Sequence, residues 1–371
     1  MKFLSILPVL AVVLIAGCIG QTAEEARPYK IGLDFPMSGA LAVYGTNFAP
    51  PAQLAVEEIN AAGGVNGRML ALIIEDNQGD PKQAATAATK LISVDNVDLI
   101  ASVTTPLSGA IAPITEANKK VFVYASSVSS FARNNNYVFK DYGDVVEMCT
   151  KLTEEAVGLN KSKIAVFGVN SEFTTDCRSA AEGVPGAELA AFENFNPGET
   201  DYRTQLAKIK EAGPDALILS AFAQQCIGIW KQIAEAGIST RFLLPFTKVA
   251  CGEEAALAAA NATAAGSIGV DFLVDPENPT PELADFLQKF KARFGNDPKF
   301  AIESAMFYDR IYFFKEALER CPDAGSDCLV EAFEDTRMVG ASGDIYFTPE
   351  HLSVRPIRLI ILSDGKWVDY P

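Results

Sequence analysis

The sequence predicts an α/β protein made of two lobes, each a parallel sheet covered by helices on both faces. Three observations predict this class. Short apolar runs alternate with amphipathic helical segments, which is typical of buried parallel strands. The alternation stops near residues 142–146 and then begins again. The chain has 371 residues, more than twice the length of a typical single domain.

The first run of alternating elements precedes that break. Its strands are predicted in YKIGLDFP, RMLALIIEDN, VDLIASV and VFVYA, and its first two helices in GTNFAPPAQLAVEEINAAGG and DPKQAATAATKLISVD. Gly63 and Gly64 end the first of these helices, and Asp80 is the expected N-cap of the second, with Pro81 in its first turn. A third helix is predicted from about Ser108 to Asn118.

The second run repeats the same order of elements. Strands are predicted in SKIAVFGVN, AELAAFE, GPDALILSAF and RFLLP, and helices in TTDCRSAAEGV, around Tyr202, Leu206 and Ile209, and in QQCIGIWKQIAEAG. The last hundred residues add two long helices, PELADFLQKFKARFG and AIESAMFYDRIYFFKEALERC, and one clear strand, PIRLIILSDG. These pieces are too few for a third lobe, so they should complete the first two. The chain would then cross between the lobes more than once, which makes a hinge.

The N-terminus predicts an exported, lipid-anchored protein. Lys2 is followed by an uncharged run, FLSILPVLAVVLIAG, that is shorter than the roughly 20 residues needed to span a bilayer. The run ends in LIAGC, which is typical of a lipoprotein signal peptide of residues 1–17 with the lipid on Cys18. Residues 18–28 would form a polar tether. A plain secretory signal with an incidental cysteine is the alternative.

Charge and residue counts argue against several classes of function. Lys and Arg total 31 against 47 Asp and Glu, a net charge of −16, so we expect no nucleic-acid partner. The chain has one histidine, His351, which lies in a predicted surface turn. The motifs GxSxG, HExxH and GxxxxGK[ST] are absent from the sequence. We therefore predict no enzyme activity, no metal and no cofactor.

Six further cysteines predict disulfides, because an even number in an exported chain favours pairing. The six are Cys149, Cys177, Cys226, Cys251, Cys321 and Cys328. Cys321 and Cys328 flank a turn-rich segment and are the easiest pair to close. Spacing alone leaves all other pairings open, and free buried thiols remain the alternative.

Two groups of hydroxyl side chains follow neighbouring strands of the first run. Thr104 and Thr105 come at the end of one apolar strand, and SSVSS, starting at Ser126, follows the next. In an open parallel sheet ligands bind beyond the carboxyl ends of the strands, so we expect both groups at one site. Hydroxyls together with the N–H groups of a helix start suit a carboxylate. Ordinary helix capping by solvent-facing hydroxyls is the alternative.

The sequence resembles the branched-chain amino-acid binding proteins, which are type I periplasmic binding proteins that serve ABC importers. EEINAAGGVNGR followed by EDNQGDPKQA is the most specific part of this likeness, and GPDALILSAFAQQCIGIWKQIAEAGISTRFLLP resembles a segment of their second lobe. The likeness runs from about Tyr29 to the end of the chain. It implies the periplasmic binding protein type I fold: two doubly wound, Rossmann-like lobes, a hinge of three crossings, and a ligand cleft between the lobes.

The resemblance also implies which residues form the binding site. In the family the loop after the third strand holds the ligand carboxylate, and the loop after the fourth grips the carboxylate and the ammonium. Aromatic residues of both lobes face the ligand, and an acidic residue after the FLLP-type strand pairs with the ammonium. The matching residues in this sequence are Val103, Thr104 and Thr105; Ser126, Ser127 and Val128; the aromatic residues Tyr44, Phe173 and Phe222; and, at the acidic position, Phe246.

Phe246 is the one departure that bears on the ligand. A buried ammonium without a partner costs several kcal/mol, so a cleft with phenylalanine there favours an apolar or aromatic carboxylate over a zwitterion. Glu172 or Asp271 could supply the missing negative charge. The expected ligand is therefore a small carboxylate, either a branched-chain or other apolar amino acid or a simple apolar acid.

The resemblance implies a division of the chain and a set of partners. Residues 29–143 and 272–337 are assigned to the N-terminal lobe, and 144–271 and 338–371 to the C-terminal lobe. The partners are the ABC permease with its ATPase subunits, and the location is the outer face of the cell membrane, reached through the lipid anchor. A ligand-sensing receptor module on the same fold is the alternative function.

Overall fold

The computed structural model describes residues 27–371 of the chain. The predicted signal peptide, Cys18 and the tether up to residue 26 lie outside the described residues. The first lobe begins with β1 (Tyr29–Phe35), α1 (Ala42–Ala61), β2 (Leu70–Asp76), α2 (Pro81–Ser93), β3 (Leu99–Val103), α3 (Thr105–Ala117), β4 (Val121–Ala125), α4 (Ser130–Arg133) and β5 (Val138–Lys140). Its five strands form one parallel sheet in the order β2-β1-β3-β4-β5.

The second lobe follows the first crossing of the chain. It contains α5 (Val145–Gly158), β6 (Lys163–Val169), α6 (Glu172–Gly183), β7 (Glu188–Phe195), α7 (Arg203–Ala212), β8 (Ala216–Ser220), α8 (Ala223–Ala236), β9 (Arg241–Leu244), α9 (Glu254–Ala260), a 3-10 turn (Asn261–Ala264) and β10 (Ile268–Phe272). These strands are parallel and belong to a seven-stranded sheet in the order β14-β13-β10-β9-β8-β6-β7.

The rest of the chain returns to the first lobe and then completes the second. It contains α10 (Pro281–Phe294), α11 (Ala301–Arg320), α12 (Ser326–Asp335), β11 (Arg337–Gly340), β12 (Gly343–Tyr346), β13 (Ile357–Ser363) and β14 (Lys366–Asp369). Helix α11 packs on β1 and α1, where the Phe307 ring lies 5.5 Å from Phe35 and 4.7 Å from Phe48. Strand β13 pairs antiparallel with β10, and β14 pairs antiparallel with β13 at the edge of the second sheet.

The predicted strands and helices are present, and local sequence signals explain several of their ends. Asp80 caps α2 through its side chain, which accepts from the backbone N–H groups of Lys82 and Gln83. Helix α3 begins at Thr105, three residues before the expected start near Ser108. The structure also has β11, β12 and β14 near the C-terminus, where only one strand was predicted. Each of these has four residues, too few for a recognisable alternation.

The segment after residue 338 departs from the expected division between lobes. The ring of Phe347 packs 5.2 Å from Phe139 and 5.3 Å from Phe313, both of the first lobe. The backbone N–H of Lys140 in β5 donates to the carbonyl of His351 at 2.9 Å. We therefore propose that the second lobe resumes near Arg355 rather than at residue 338.

The expectation that His351 is a surface residue was wrong. Its side chain is buried and stacks on Phe139, with ring centroids 4.1 Å apart. Its Nδ1 lies 3.2 Å from the carbonyl oxygen of Val138. The segment around His351 is a turn, as predicted, but this turn covers the first sheet.

A buried ion cluster joins helix α11 to two of the segments where the chain crosses between the lobes. These are the first crossing, residues 141–144, and the third crossing, near Arg355. The Asp141 carboxylate accepts from Arg310 at 2.9 Å and from the Nε of Arg355 at 3.1 Å. Burial alone would raise the pKa of Asp141, but the guanidinium groups of Arg355 and Arg310 outweigh it and lower this pKa to about 2. The cluster fixes two of the crossing segments to the first lobe.

The six predicted disulfide cysteines form three bonds. Cys149 pairs with Cys177 and Cys226 with Cys251 in the second lobe, and Cys321 pairs with Cys328 in the first. The expected closure between Cys321 and Cys328 is confirmed.

Candidate ligand-binding cleft between the lobes

A cavity lies between the lobes, beyond the carboxyl ends of the strands. The first lobe and the first crossing contribute Tyr44, Phe48, Val103, Thr104, Thr105, Ala125, Ser126, Ser127, Tyr142 and Phe307, and the second lobe contributes Phe173, Ala221, Phe222, Phe246, Val249 and Ala250. The serine and threonine hydroxyls of the lining all come from the first lobe, whereas its aromatic rings come from both lobes.

The hydroxyl groups come from the ends of β3 and β4, which are adjacent in the first sheet. Thr105 Oγ1 and Ser126 Oγ lie 2.8 Å apart, and either atom can donate to the other. Ser127 is next to them in the lining and only 4% exposed. The Oγ1 of Thr104 is buried without a hydrogen-bond partner. These hydroxyls can turn their protons toward an oxygen ligand that enters the cavity.

The start of helix α3 adds backbone donors at the same place. Thr104 precedes the helix with φ of +63°, a left-handed conformation that is uncommon outside glycine. No side chain caps this helix start, and the first N–H groups of a helix have no partner within it. Pro106, the second residue of α3, has no N–H, so the donors at this helix start are the N–H groups of Thr105 and Leu107. The helix dipole and the free N–H groups favour a negative charge here.

Aromatic rings from both lobes enclose the rest of the cavity. Phe246 lies between Phe173, at 5.0 Å, and Tyr142, at 6.0 Å between ring centroids. Tyr44 lies 6.2 Å from Phe222 across the gap between the lobes. Such a wall excludes water and accommodates an apolar or aromatic body.

The structure brings together nine of the ten side chains predicted for the binding site. Tyr44, Val103, Thr104, Thr105, Ser126, Ser127, Phe173, Phe222 and Phe246 all line the cavity. Val128 does not; it is fully buried behind the cavity, where its carbonyl accepts a hydrogen bond of 2.7 Å from the hydroxyl of Tyr124. Its backbone N–H lies 3.4 Å from Ser126 Oγ, so Val128 supports the site from behind.

Three aromatic lining residues were missed by sequence reasoning. Phe48 follows Tyr44 by one helical turn on the same face of α1, and this spacing could have revealed it. Tyr142 lies in the first crossing, where the alternation of strands and helices stops and no pattern marks a lining residue. Phe307 comes from α11, far along the chain, and no local pattern marks it.

Among residues 27–371, no charged side chain lines this cavity. Asp271, one proposed substitute for the missing acid, lines an adjoining smaller cavity that shares Tyr142, Phe246 and Val249 with the first, and it forms an ion pair of 2.7 Å with Lys248. Glu172, the other, begins α6 and lines neither cavity.

The smaller cavity also holds an acid that the sequence did not suggest. Glu303 of α11 lines it, and its Oε1 lies 3.4 Å from the hydroxyl of Tyr142. Burial raises the pKa of Glu303 to about 7, and the charge of Asp271 acts in the same direction. At neutral pH Glu303 is therefore protonated to a greater extent than an exposed glutamate.

Two kinds of feature are absent from residues 27–371. In that part of the chain, no cluster of His, Cys, Asp and Glu has a geometry suited to a metal ion. None of its helices combines the length and apolar character needed to cross a membrane.

The fold and the cavity define a class: two-lobed α/β proteins with three crossings and a deep cavity between the lobes. The model of one protein family, described as periplasmic binding protein, matches residues 28–366. The chain therefore belongs to the periplasmic binding protein family, as its sequence resemblance indicated.

Similar proteins carry names that refer to small carboxylates. The chain is 25% identical over 347 residues to a leucine-, isoleucine-, valine-, threonine- and alanine-binding protein of Pseudomonas aeruginosa, covering 91% of this chain and 90% of that one. The leucine binding protein LivK of Thermotoga maritima has a similar structure, with a TM-score of 0.80, 21% identity, and coverage of 92% and 98%. A solute binding protein of Rhodopseudomonas palustris in complex with 4-hydroxybenzoate gives a TM-score of 0.80, 19% identity, and coverage of 92% and 95%.

Proposed function

We propose that this protein is an extracytoplasmic, lipid-anchored solute-binding protein of an ABC importer, and that it captures a small carboxylate with an apolar body. One observation carries the ligand class: the cavity has hydroxyl and helix N–H donors in one part, aromatic rings from both lobes around the rest, and no charged lining residue within residues 27–371. The names of the relatives, which include amino-acid and hydroxybenzoate binders, support the same two ligand classes.

The carboxylate would be held on the first lobe. Thr105, Ser126 and Ser127 would donate through their hydroxyls, and the first N–H groups of α3 would complete the receptor. Charge-assisted hydrogen bonds contribute about 1.5–3 kcal/mol each. A micromolar affinity needs about 8 kcal/mol, which a few such bonds and burial of the apolar body can reach.

The second lobe would then close over the apolar body by hinge motion, and its rings would exclude water. A lipid on Cys18 would keep the protein at the membrane, and the closed form would present the ligand to a permease. The alternative function is a ligand-sensing receptor. Such a receptor would use the same cleft and close over its ligand, but it would not deliver the ligand to a permease.

A thermal-shift screen tests the ligand class. Purified protein is heated with L-leucine, L-valine and L-phenylalanine and, in parallel, with benzoate, 4-hydroxybenzoate and short branched alkyl carboxylates. We expect stabilisation by at least one simple carboxylate, because no acid in the lining pairs with an ammonium. Stabilisation by amino acids alone would contradict this reading of Phe246.

Transport itself needs a separate test in the host cell. Deletion of the gene should abolish uptake of the labelled ligand identified in the screen, and a copy with Cys18→Ala should restore less uptake than the wild-type copy. Unchanged uptake in the deletion strain would favour the sensor alternative.

A further inference from the structure

One loop of the second lobe forms the part of the cleft wall that meets the first lobe. This loop, residues 245–253, lies between β9 and α9 and has no helix or strand of its own; we call it the strap. Phe246, Val249 and Ala250 of the strap line the cavity. A loop without ladder hydrogen bonds needs other contacts to hold one shape.

A disulfide ties the strap to the neighbouring helix of the cleft wall. Cys251, directly after Ala250, is bonded to Cys226 of α8. Cys226 lies one helical turn after Phe222, which lines the cavity. Both sulfur-bearing residues are buried, with exposures of 0% and 1%. The bond therefore fixes two parts of the wall relative to each other.

Both tryptophans of the chain donate to the same strap. The indole N–H of Trp230 donates to the carbonyl of Cys251 at 2.8 Å, and that of Trp367 donates to the carbonyl of Gly252 at 3.0 Å. The N–H of Gly252 in turn donates to the carbonyl of Thr247 at 2.9 Å. A side chain at Gly252 would meet Thr247 and Trp367 within 2.8 Å, so the strap is closely packed at this point.

The first lobe reaches across to the strap through two polar contacts. The hydroxyl of Tyr44 donates to the carbonyl of Val249 at 3.1 Å. Lys299 Nζ lies 2.9 Å from a carboxylate oxygen of Glu253. The strap therefore both lines the cavity and meets the closing lobe.

We propose that Cys226, Cys251, Trp230 and Trp367 are positioning residues that fix the strap in its cavity-lining shape before any ligand arrives. The inference rests on the proposed function for the identity of the cavity as a ligand site. A wall that is already ordered removes the cost of ordering it from the free energy of binding.

The test compares two disulfide deletions in the ligand-free protein. C226A/C251A removes the strap bond, and C321A/C328A removes the bond of the first lobe. The control bond lies near the amino-terminal ends of the strands of the first sheet, away from the cleft, since the hydroxyl of Tyr29, at the start of β1, donates to the carbonyl of Pro322 at 2.6 Å. Hydrogen–deuterium exchange of residues 245–253 and tryptophan emission are recorded for both variants.

In C226A/C251A we expect the strap amides to exchange about tenfold faster or more and the tryptophan emission to shift to longer wavelength. The control should leave both readouts at wild-type values. Wild-type exchange in folded C226A/C251A, or an equal rise in both variants, would overturn the proposal. If the double variant does not fold, W367F supplies the test, because it keeps the disulfide and an aromatic ring but loses one strap hydrogen bond. Strap exchange unchanged in W367F would then overturn the proposal.

A titration separates this proposal from the proposed function. Wild type and both variants are titrated with 4-hydroxybenzoate and L-leucine by calorimetry. A wild-type chain that binds neither probe counts against the proposed function only, since the exchange measurement needs no ligand. For a probe that binds, we expect about tenfold weaker affinity in C226A/C251A and an unchanged affinity in C321A/C328A. An equal loss of affinity in both variants would contradict a positioning role for the strap bond.

Discussion

Thr105 is the residue whose hydroxyl most directly tests the carboxylate end of the cavity. T105V keeps the shape of the side chain and removes the donor that faces Ser126 at 2.8 Å. We expect binding of the carboxylate found in the screen to weaken about 10- to 100-fold, since a hydrogen bond to a charged group contributes about 1.5–3 kcal/mol. Calorimetric titration measures the change. T89V, at an exposed position of α2, is the matched control; equal affinities in the two variants would place the carboxylate elsewhere.

Glu303 gives the stability of the protein a pH dependence. Its pKa is raised from 4.5 to about 7 in the folded protein, so its contribution is fully present below pH 4.5 and is lost as the pH rises through 7. The loss is roughly 3 kcal/mol at 1.36 kcal/mol per pKa unit. Between pH 5 and 8.5 the free energy of unfolding, measured in urea, should therefore fall less in E303Q than in wild type.

Asp34 acts in the same direction, because burial raises its pKa to about 7. E303Q should therefore remove only part of the pH dependence. E331Q, at an exposed position of α12, should keep all of it. If the free energy of unfolding changes with pH equally in E303Q and wild type, the pKa of Glu303 is not raised in the folded protein.

At the scale of elements, the close approach of β6 and β8 depends on one glycine. A Cβ on Gly168 would lie 2.1 Å from the backbone carbonyl oxygen of Ser220, so alanine there must push the strands apart. These strand ends lead to Phe173 and Phe222 of the cleft. We expect G168A to lower the free energy of unfolding by about 1–3 kcal/mol, measured by chemical unfolding. G158A is the control, because a Cβ there meets nothing within 4 Å; equal stabilities would contradict the steric account.

Elements with their own local signals could be predicted from the sequence. Asp80, an N-cap residue, predicted the start of α2. The clustered hydroxyls after β3 and β4 predicted a polar site, and four of them line the cavity. Elements placed by distant contacts could not. Phe307 reaches the cavity only because α11 packs on α1, and the β11–β12 hairpin joins the first lobe because Phe347 packs on Phe139. Neither contact leaves a pattern in neighbouring residues.

Val128 shows a finer limit of the same kind. Ser126 and Ser127 of the loop after β4 line the cavity, but the direction of each side chain in this loop depends on backbone turns. The hydrogen bond from Tyr124 holds the Val128 carbonyl inward and turns this residue away from the cavity. A run of small residues in the sequence does not encode that turn.

At the scale of the whole molecule, Asp141 joins the hinge to the first lobe. D141N keeps the size of the side chain but leaves Arg310 and Arg355 buried without their counter-charge. Removing one partner of a buried ion pair typically costs about 3–5 kcal/mol, so we expect a loss of this order in urea unfolding at pH 7. The contribution of the carboxylate should be present above pH 3.8 and fall as the pH drops through about 2.

D344N is the control for the hinge variant, because Asp344 is exposed in β12. It should leave stability close to wild type. A D141N protein as stable as D344N would mean that the two guanidinium groups find other partners, and the cluster would not then fix the crossings.

The ion pair between Lys299 and Glu253 has a consequence for how long a captured molecule stays. It joins the first lobe to the strap, and the side chain of Lys299 is 46% exposed. Dissolved ions weaken such a partly exposed pair. The phenol of Tyr44 is buried and uncharged, so its hydrogen bond to the carbonyl of Val249 is not screened by salt. The residence time of the bound ligand should therefore shorten as the salt concentration rises, while the shape of the cavity stays the same.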